Sequence, residues 1–133
     1  MNYDQFMGAL CLWREGRGQS KVALTGVWYV IQNRAADAKK RWPQTIPGVI
    51  LQHAQFSSFL QSDPNVTKFP LPGSTQDWRA WLDCLDVVTV PIGGDPTNGA
   101  NHYESLPPDA HKPDWADPEK ISARIGSFRF YKL

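Results

Sequence analysis

The stretch Leu12-Trp13-Arg14-Glu15-Gly16-Arg17-Gly18-Gln19-Ser20 decides how this chain is read. Ahead of it, Phe6, Leu10 and Trp13 recur at the spacing of one helical face, so residues 3–15 read as a helix. Gly16-Arg17-Gly18 breaks that helix and leaves Glu15 at its C-terminal edge. Ser20 then serves as the N-cap of a second helix of about 20 residues. Its apolar face carries Val22, Ala23, Val27, Val30 and Ile31, with Gly26 allowing close packing. Lys39, Lys40 and Arg41 suit the dipole at its end, and Pro43 helps to stop it. Two helices meeting at a carboxylate predict a helical domain with a polar group at the border of its core. A carboxyl held partly out of water there is suited to act as a general acid. From spacing alone the plainer reading stands ahead, in which Glu15 is solvated and pairs with Arg14 or Arg17.

Further along, Thr45 caps a short third helix through Val49, Ile50 and Leu51, with Pro47 tolerated in the first turn. Ser74 and Asp77 resemble the start of a capped fourth helix. That helix carries Trp78, Trp81, Leu82, Leu85 and Val88 as a core stripe. After Pro91 the helical pattern stops, and Asp95-Pro-Thr-Asn-Gly99 is dense turn chemistry before a short apolar-polar stretch from Ala100 to Glu104. Residues 106–120 are irregular and proline-rich. The end, Ala123 to Tyr131, reads as a hairpin about Gly126-Ser127, a two-residue turn with glycine first. These elements predict one α+β domain over residues 1–133, mostly helical, with no internal repeat.

Composition bounds the function. A net charge of +1 leaves no field to steer the chain onto nucleic acid or anionic lipid. No apolar run reaches membrane-spanning length, and the N-terminus lacks the features of a secretory signal. The expectation is a chain made without export, or a mature form, with no nucleic-acid partner and no membrane insertion. Six Trp, four Tyr and six Phe serve either as core or, in part, as stacking platforms for sugar rings. Cys11 and Cys84 sit in apolar segments with no CxxC pattern, which favours buried free thiols over a bridge.

Two other segments carry candidate chemistry. Gln55-Phe-Ser-Ser-Phe-Leu-Gln-Ser-Asp-Pro-Asn65 alternates polar and aromatic residues, as a sugar-binding loop does and as an ordinary polar loop also does. Asp95, His102 and Glu104 match no metal-ligand spacing, so no metal and no cofactor is expected. A triad of Ser57, His102 and Asp95 lacks the G-x-S-x-G elbow.

Eight pieces in order resemble the cell wall hydrolase family typified by the catalytic domain of spore-cortex-lytic enzymes, which also occurs as phage endolysins. They are Glu15-Gly-Arg-Gly18, Val30-Ile-Gln-Asn-Arg34, Ile46-Pro-Gly-Val-Ile-Leu-Gln52 and Gln55-Phe-Ser57, then Asp95-Pro-Thr-Asn-Gly-Ala100, His102-Tyr103, Pro113-Asp-Trp115 and Arg124-Ile-Gly-Ser-Phe-Arg-Phe130. The resemblance implies a lysozyme-like, lytic-transglycosylase-like fold with a small antiparallel hairpin or sheet beside a cleft. It implies Glu15 as catalytic acid/base and peptidoglycan glycan strands as substrate, cut at the β-1,4 bond between N-acetylmuramic acid and N-acetylglucosamine. Gln55, Phe56, Ser57, His102, Tyr103 and Trp115 are the candidate substrate-binding residues, and the working form is a monomer acting on the bacterial wall. The chain departs from the family pattern at Gly16 (usually Ala), Gln19 (often Glu) and Phe128 (usually His). One carboxylate in the motif favours transglycosylation with 1,6-anhydro products. Glu104, Asp63 and Asp114 are candidates for the second carboxylate that hydrolysis needs. A glycan-binding domain without activity, or a component of a phage particle, are the readings from other classes.

Overall fold

A computed structural model of the chain describes residues 1–16, 18–52, 69–70, 75–90, 93–105 and 112–133. Four helices run in order: α1 (Tyr3–Gly16), α2 (Lys21–Ala35), α3 (Ile46–Leu51) and α4 (Thr75–Thr89). Three strands follow: β1 (His102–Ser105), β2 (Ile121–Ile125) and β3 (Phe128–Tyr131), with a 3₁₀ turn at Pro118–Lys120 just before β2. The fold class expected from the pattern is the one observed.

Helix α1 is the axis of the domain. It packs against α4, α3 and α2, so Met7 to Arg14 are buried on every face rather than along one stripe. Phe6, expected on the core face, is 39% exposed near the N-terminal end of the helix, its ring meeting Trp81 edge-to-face at 6.2 Å. Leu10 and Trp13 are in the core as expected. The indole of Trp13 donates to the Asp77 carbonyl (3.2 Å), which ties the end of α1 to the first turn of α4.

Ser20 caps α2 as its position predicts, its hydroxyl accepting from the Ala23 N–H at 3.2 Å. The helix is 15 residues long, shorter than expected. The Asp37 carboxylate accepts from both the backbone N–H and the guanidinium of Arg41, so residues 37–41 close into a separate turn. Lys40 takes a positive φ of 54° within it. The basic run therefore lies beyond the helix, not in its last turn. Thr45 caps α3, accepting from the Gly48 N–H at 3.1 Å.

The α4 stripe is rotated from the expected one. Trp81, Cys84, Val87 and Val88 are buried, Trp78 and Leu85 flank them, and Leu82 is 44% exposed. The helix packs against both α1 and α2, and the face that they cover takes in Cys84 and Val87 and leaves Leu82 at its edge. Ser74, the expected cap, lies outside the described residues.

The sheet has the order β1-β3-β2, antiparallel throughout. Gly126, at φ 58°, supplies the left-handed first position that the two-residue turn demands. The stretch after the Asp95 turn adds as the third strand, with Tyr103 opposite Phe130. Successive side chains on a strand point to opposite faces. Tyr103, Phe128 and Phe130 thus face the helices, where Phe130 meets Gly26 of α2, while His102, Glu104, Arg129 and Tyr131 face away.

Cys11 and Cys84 are free thiols within this core. Burial pushes the Cys11 thiol well up and the Cys84 thiol up to about 12, so neither forms a thiolate at neutral pH.

Candidate active site

Glu15 stands on the last turn of α1, half-buried. Its neighbours form a narrow recess lined by Leu12, Gly16, Leu24, Val27, Tyr103 and Phe128. The helix places it there because Gly16 ends the buried run and Gly18, at φ 95°, turns the chain back towards Ser20. An alanine at Gly16 would set its Cβ 2.9 Å from Leu24 Cδ2, so the small residue here matches a leucine that leans into the helix. On the far side of the turn, a hollow of about 270 Å³ opens between Gly18 and the Gln76, Asp77 and Ala80 face of α4.

Tyr103 is the sheet's contribution to the recess. Its ring packs edge-on against Phe128 (5.5 Å between centroids) and lies 6.2 Å from Phe130. Burial pushes its phenol well up, and the charge of Glu15 adds to that. The phenol therefore stays protonated beside the carboxyl. Phe128, standing where the family usually has His, is packing for this pair and carries no titrating group.

The two residues of the His-Tyr pair part company across the sheet. His102 lies on the outward face between Trp42 (5.7 Å) and Trp115 (4.8 Å), and Trp115 also meets Tyr131 (5.3 Å). Burial, and then Arg34 and Arg41, push its imidazole down to about 4, so it is neutral at neutral pH. The Asn101 amide is oriented by two bonds to Leu133, which makes its Oδ1 an acceptor. His102 Nδ1 lies 2.9 Å from that oxygen and so carries the ring's proton. Of the candidate substrate-binding residues, the structure brings Tyr103 to Glu15 and pairs His102 with Trp115 on the other face. Gln55, Phe56 and Ser57 lie outside the described residues.

The candidates for a second carboxylate separate in the same way. Glu104 is 5% exposed on the outward face, accepting from the Tyr131 hydroxyl at 2.6 Å and facing Arg129 Nε at 3.4 Å. Asp114 is exposed beside Trp115, and Asp63 is outside the described residues. Among the described residues lining the recess, Glu15 is the one carboxylate.

Two arrangements were not foreseen from the residues. Gln19 reaches across to the hairpin turn, its Oε1 accepting from Ser127 Oγ at 3.3 Å, and Ser127 lies 3.3 Å from Ser105 Oγ. The sequence signal was its place four residues after Glu15, where the family often has Glu. The other is a latch around Asp95. Its carboxylate accepts from Thr97 N (2.8 Å), Thr97 Oγ1 (2.6 Å), Gly99 N (3.0 Å) and Asn33 Nδ2 (2.9 Å). Asn33 also donates to the Ala100 carbonyl, and Arg34 Nε to that of Asn101 (2.7 Å). The turn motif thus fastens the start of β1 to α2 and sets where Tyr103 enters the recess. No group of three or more metal-ligating side chains occurs among the described residues.

The latch makes acid sensitivity predictable. Burial alone would raise the Asp95 carboxyl, but the bonds from Thr97, Asn33 and Gly99 outweigh it and hold the group below the ordinary carboxylate range. A depressed folded-state value stabilises the fold above the unfolded value of about 4, and that contribution fades as pH falls through the lower folded value. Asp95→Asn is expected to lower the melting temperature at pH 7. The gap to the wild type should narrow below about pH 4. A gap unchanged from pH 7 to pH 3 would count against the carboxylate as the origin.

The same architecture occurs in solved structures. The catalytic domain of the germination-specific lytic transglycosylase SleB from Bacillus anthracis is similar over 99% of this chain and 96% of its own, with a TM-score of 0.69 and 27% identity. The catalytic domain of the Bacillus cereus SleB protein is similar over 97% and 89%, with a TM-score of 0.65 and 27% identity. No curated protein matches the chain in sequence. The family match itself begins at Gly18, three residues after Glu15, and runs to Tyr131, through the latch, the sheet and the hairpin turn. Spanning residues 18–131, it makes the chain a member of the Cell Wall Hydrolase family.

Proposed function

We propose that the chain cleaves peptidoglycan glycan strands as a lytic transglycosylase, acting as a monomer on the bacterial wall with Glu15 as acid and then base. The observation that carries this is the setting of Glu15, a half-buried carboxyl in an apolar recess with no second carboxylate among its described neighbours. The solved relatives add to it, since one is named a lytic transglycosylase and both are similar along nearly the whole chain.

The mechanism needs one carboxyl. Glu15 gives its proton to the glycosidic oxygen as the bond to the muramic acid C1 breaks. The carboxylate so formed takes the proton of the same sugar's 6-hydroxyl, whose oxygen bonds to C1. One bond forms for each broken, the proton returns to Glu15, and no water is consumed. Intramolecular attack gains from proximity, with effective molarities of ~10⁵–10⁸ M in well-oriented cases. The protonated Tyr103 phenol supports Glu15 from the sheet side, and Gln19 stands at the rim of the same turn. The Gln55-Phe56-Ser57 segment is proposed to line the glycan subsites. His102 and Trp115 bind glycan in this reading only where a strand runs over the outward face.

Product analysis tests the route. Purified sacculi are digested and the muropeptides weighed without chemical reduction. Fragments one water lighter than hydrolytic products are expected throughout. Reducing ends throughout would mean hydrolysis, and would direct the search for the missing partner to Asp63, Glu104 and Asp114.

A further inference from the structure

At the opposite end of α1 from Glu15, a groove of about 190 Å³ opens between α1, α2 and the C-terminal turn of α4. None of its nine lining residues carries a charge. Its polar side is built from Gln5, Thr25, Tyr29 and Gln32, and its apolar side from Trp28 and Val88. Gln5 is held by the protein at both ends of its amide: Nε2 donates to the Val88 carbonyl at 3.4 Å and Oε1 accepts from the Asn2 N–H at 2.9 Å, so the amide left open to a ligand is that of Gln32. The Thr25 hydroxyl spends its proton on the Lys21 carbonyl (2.7 Å), which leaves its oxygen an acceptor. Among the described residues the Gln32 amide and the Tyr29 hydroxyl make no hydrogen bond to protein, and both are half-buried.

A planar amide that both donates and accepts, here Gln32, together with hydroxyls and aromatic surface, is the set of groups that binds a sugar ring with its acetamido substituent. An uncharged lining offers nothing to the carboxylates and ammonium groups of a stem peptide, or to a phosphate. The volume falls below the ~300–1,000 Å³ of sites for drug-sized ligands, so it suits one ring. Gln5 and Glu15 are ten residues apart on one helix, or ~15 Å, too far for both to touch the same sugar.

We propose that this groove is a second glycan subsite, which takes one neutral N-acetylated hexosamine ring and anchors the enzyme on the wall away from the cleavage point. The proposal rests on peptidoglycan being the substrate, and its test does not need cleavage. Triacetylchitotriose is titrated into Glu15→Gln protein and followed by amide NMR. Shifts at Trp28, Tyr29 and Gln32 are expected, and they should be lost in a protein that also carries Tyr29→Ala and Gln32→Ala. Retained thermal unfolding of that variant guards against a folding defect, and Gln32→Ala alone serves if the pair unfolds.

In the active protein, the same substitutions should raise KM on sacculi by roughly 3- to 10-fold, the effect of losing one or two hydrogen bonds. Turnover of a short glycan fragment that fills only the cleft should stay unchanged. Absence of shifts in the groove, or displacement there by a stem peptide instead of the sugar, would overturn the proposal. Failure of the wild type to cleave sacculi would count against Glu15 catalysis, leaving the groove titration as a separate result.

Discussion

Glu15→Gln is expected to abolish wall lysis while leaving the fold intact. The amide has the size and shape of the carboxyl, so the recess formed by Leu12, Leu24, Val27, Tyr103 and Phe128 has no reason to rearrange. What is lost is the proton. General acid–base catalysis contributes about 10²–10⁴-fold, and here a single group serves both halves of the reaction. The fall in turbidity of a sacculus suspension should therefore slow by at least the lower figure, with the melting temperature near that of the wild type. Lysis at a near-wild-type rate by a folded Gln variant would remove Glu15 from the mechanism. Unlike its counterparts at Glu104 and Asp114, this substitution acts inside the recess. Glu104→Gln should disturb the bond to Tyr131 on the outward face, and with it stability rather than chemistry.

Phe130→Ala is expected to cost ~3–5 kcal/mol, the range for deleting a buried aromatic. The side chain is fully buried, and its ring lies where α2 and the sheet come closest. A Cβ on Gly26 would sit 2.5 Å from the ring's Cζ, so the glycine is the socket for this phenylalanine. Phe130 also carries Tyr103 and Phe128, which links the sheet's packing to the Glu15 recess. Against a typical total of about 5–15 kcal/mol, the loss should lower the melting temperature by roughly 10 °C or more. The converse change tests the same contact. Gly26→Ala should cost ~1–3 kcal/mol through overpacking, and Phe130→Leu in the same protein should relieve part of it. Costs that simply add would mean that the two residues do not meet.

Local chemistry was legible along the chain wherever one segment contains its own cause. The break after Glu15, the Ser20 and Thr45 caps and the Gly126-Ser127 turn were all read from neighbouring residues, and each is present with its hydrogen bond or its φ. The resemblance placed Glu15 in a catalytic motif where spacing alone favoured a surface ion pair. Helix faces were less legible. Phe6, Val22 and Leu82 fit apolar stripes by period, yet each is exposed, because a stripe says which residues could be buried and not which neighbour covers them.

The end of α2 was overestimated for a related reason. Asp37 chooses Arg41 through a side-chain geometry that helix propensity does not contain. By itself the sequence determined the order and type of the elements, because these follow from caps, breakers and periodicity within a few residues. Only the tertiary structure decided that Tyr103 joins Glu15 while His102 and Glu104 turn away, that Asp95 fastens β1 to α2, and that Gln19 meets Ser127. Those outcomes depend on strand register and on contacts between residues far apart in the chain, and a one-residue slip of β1 would have exchanged the two faces.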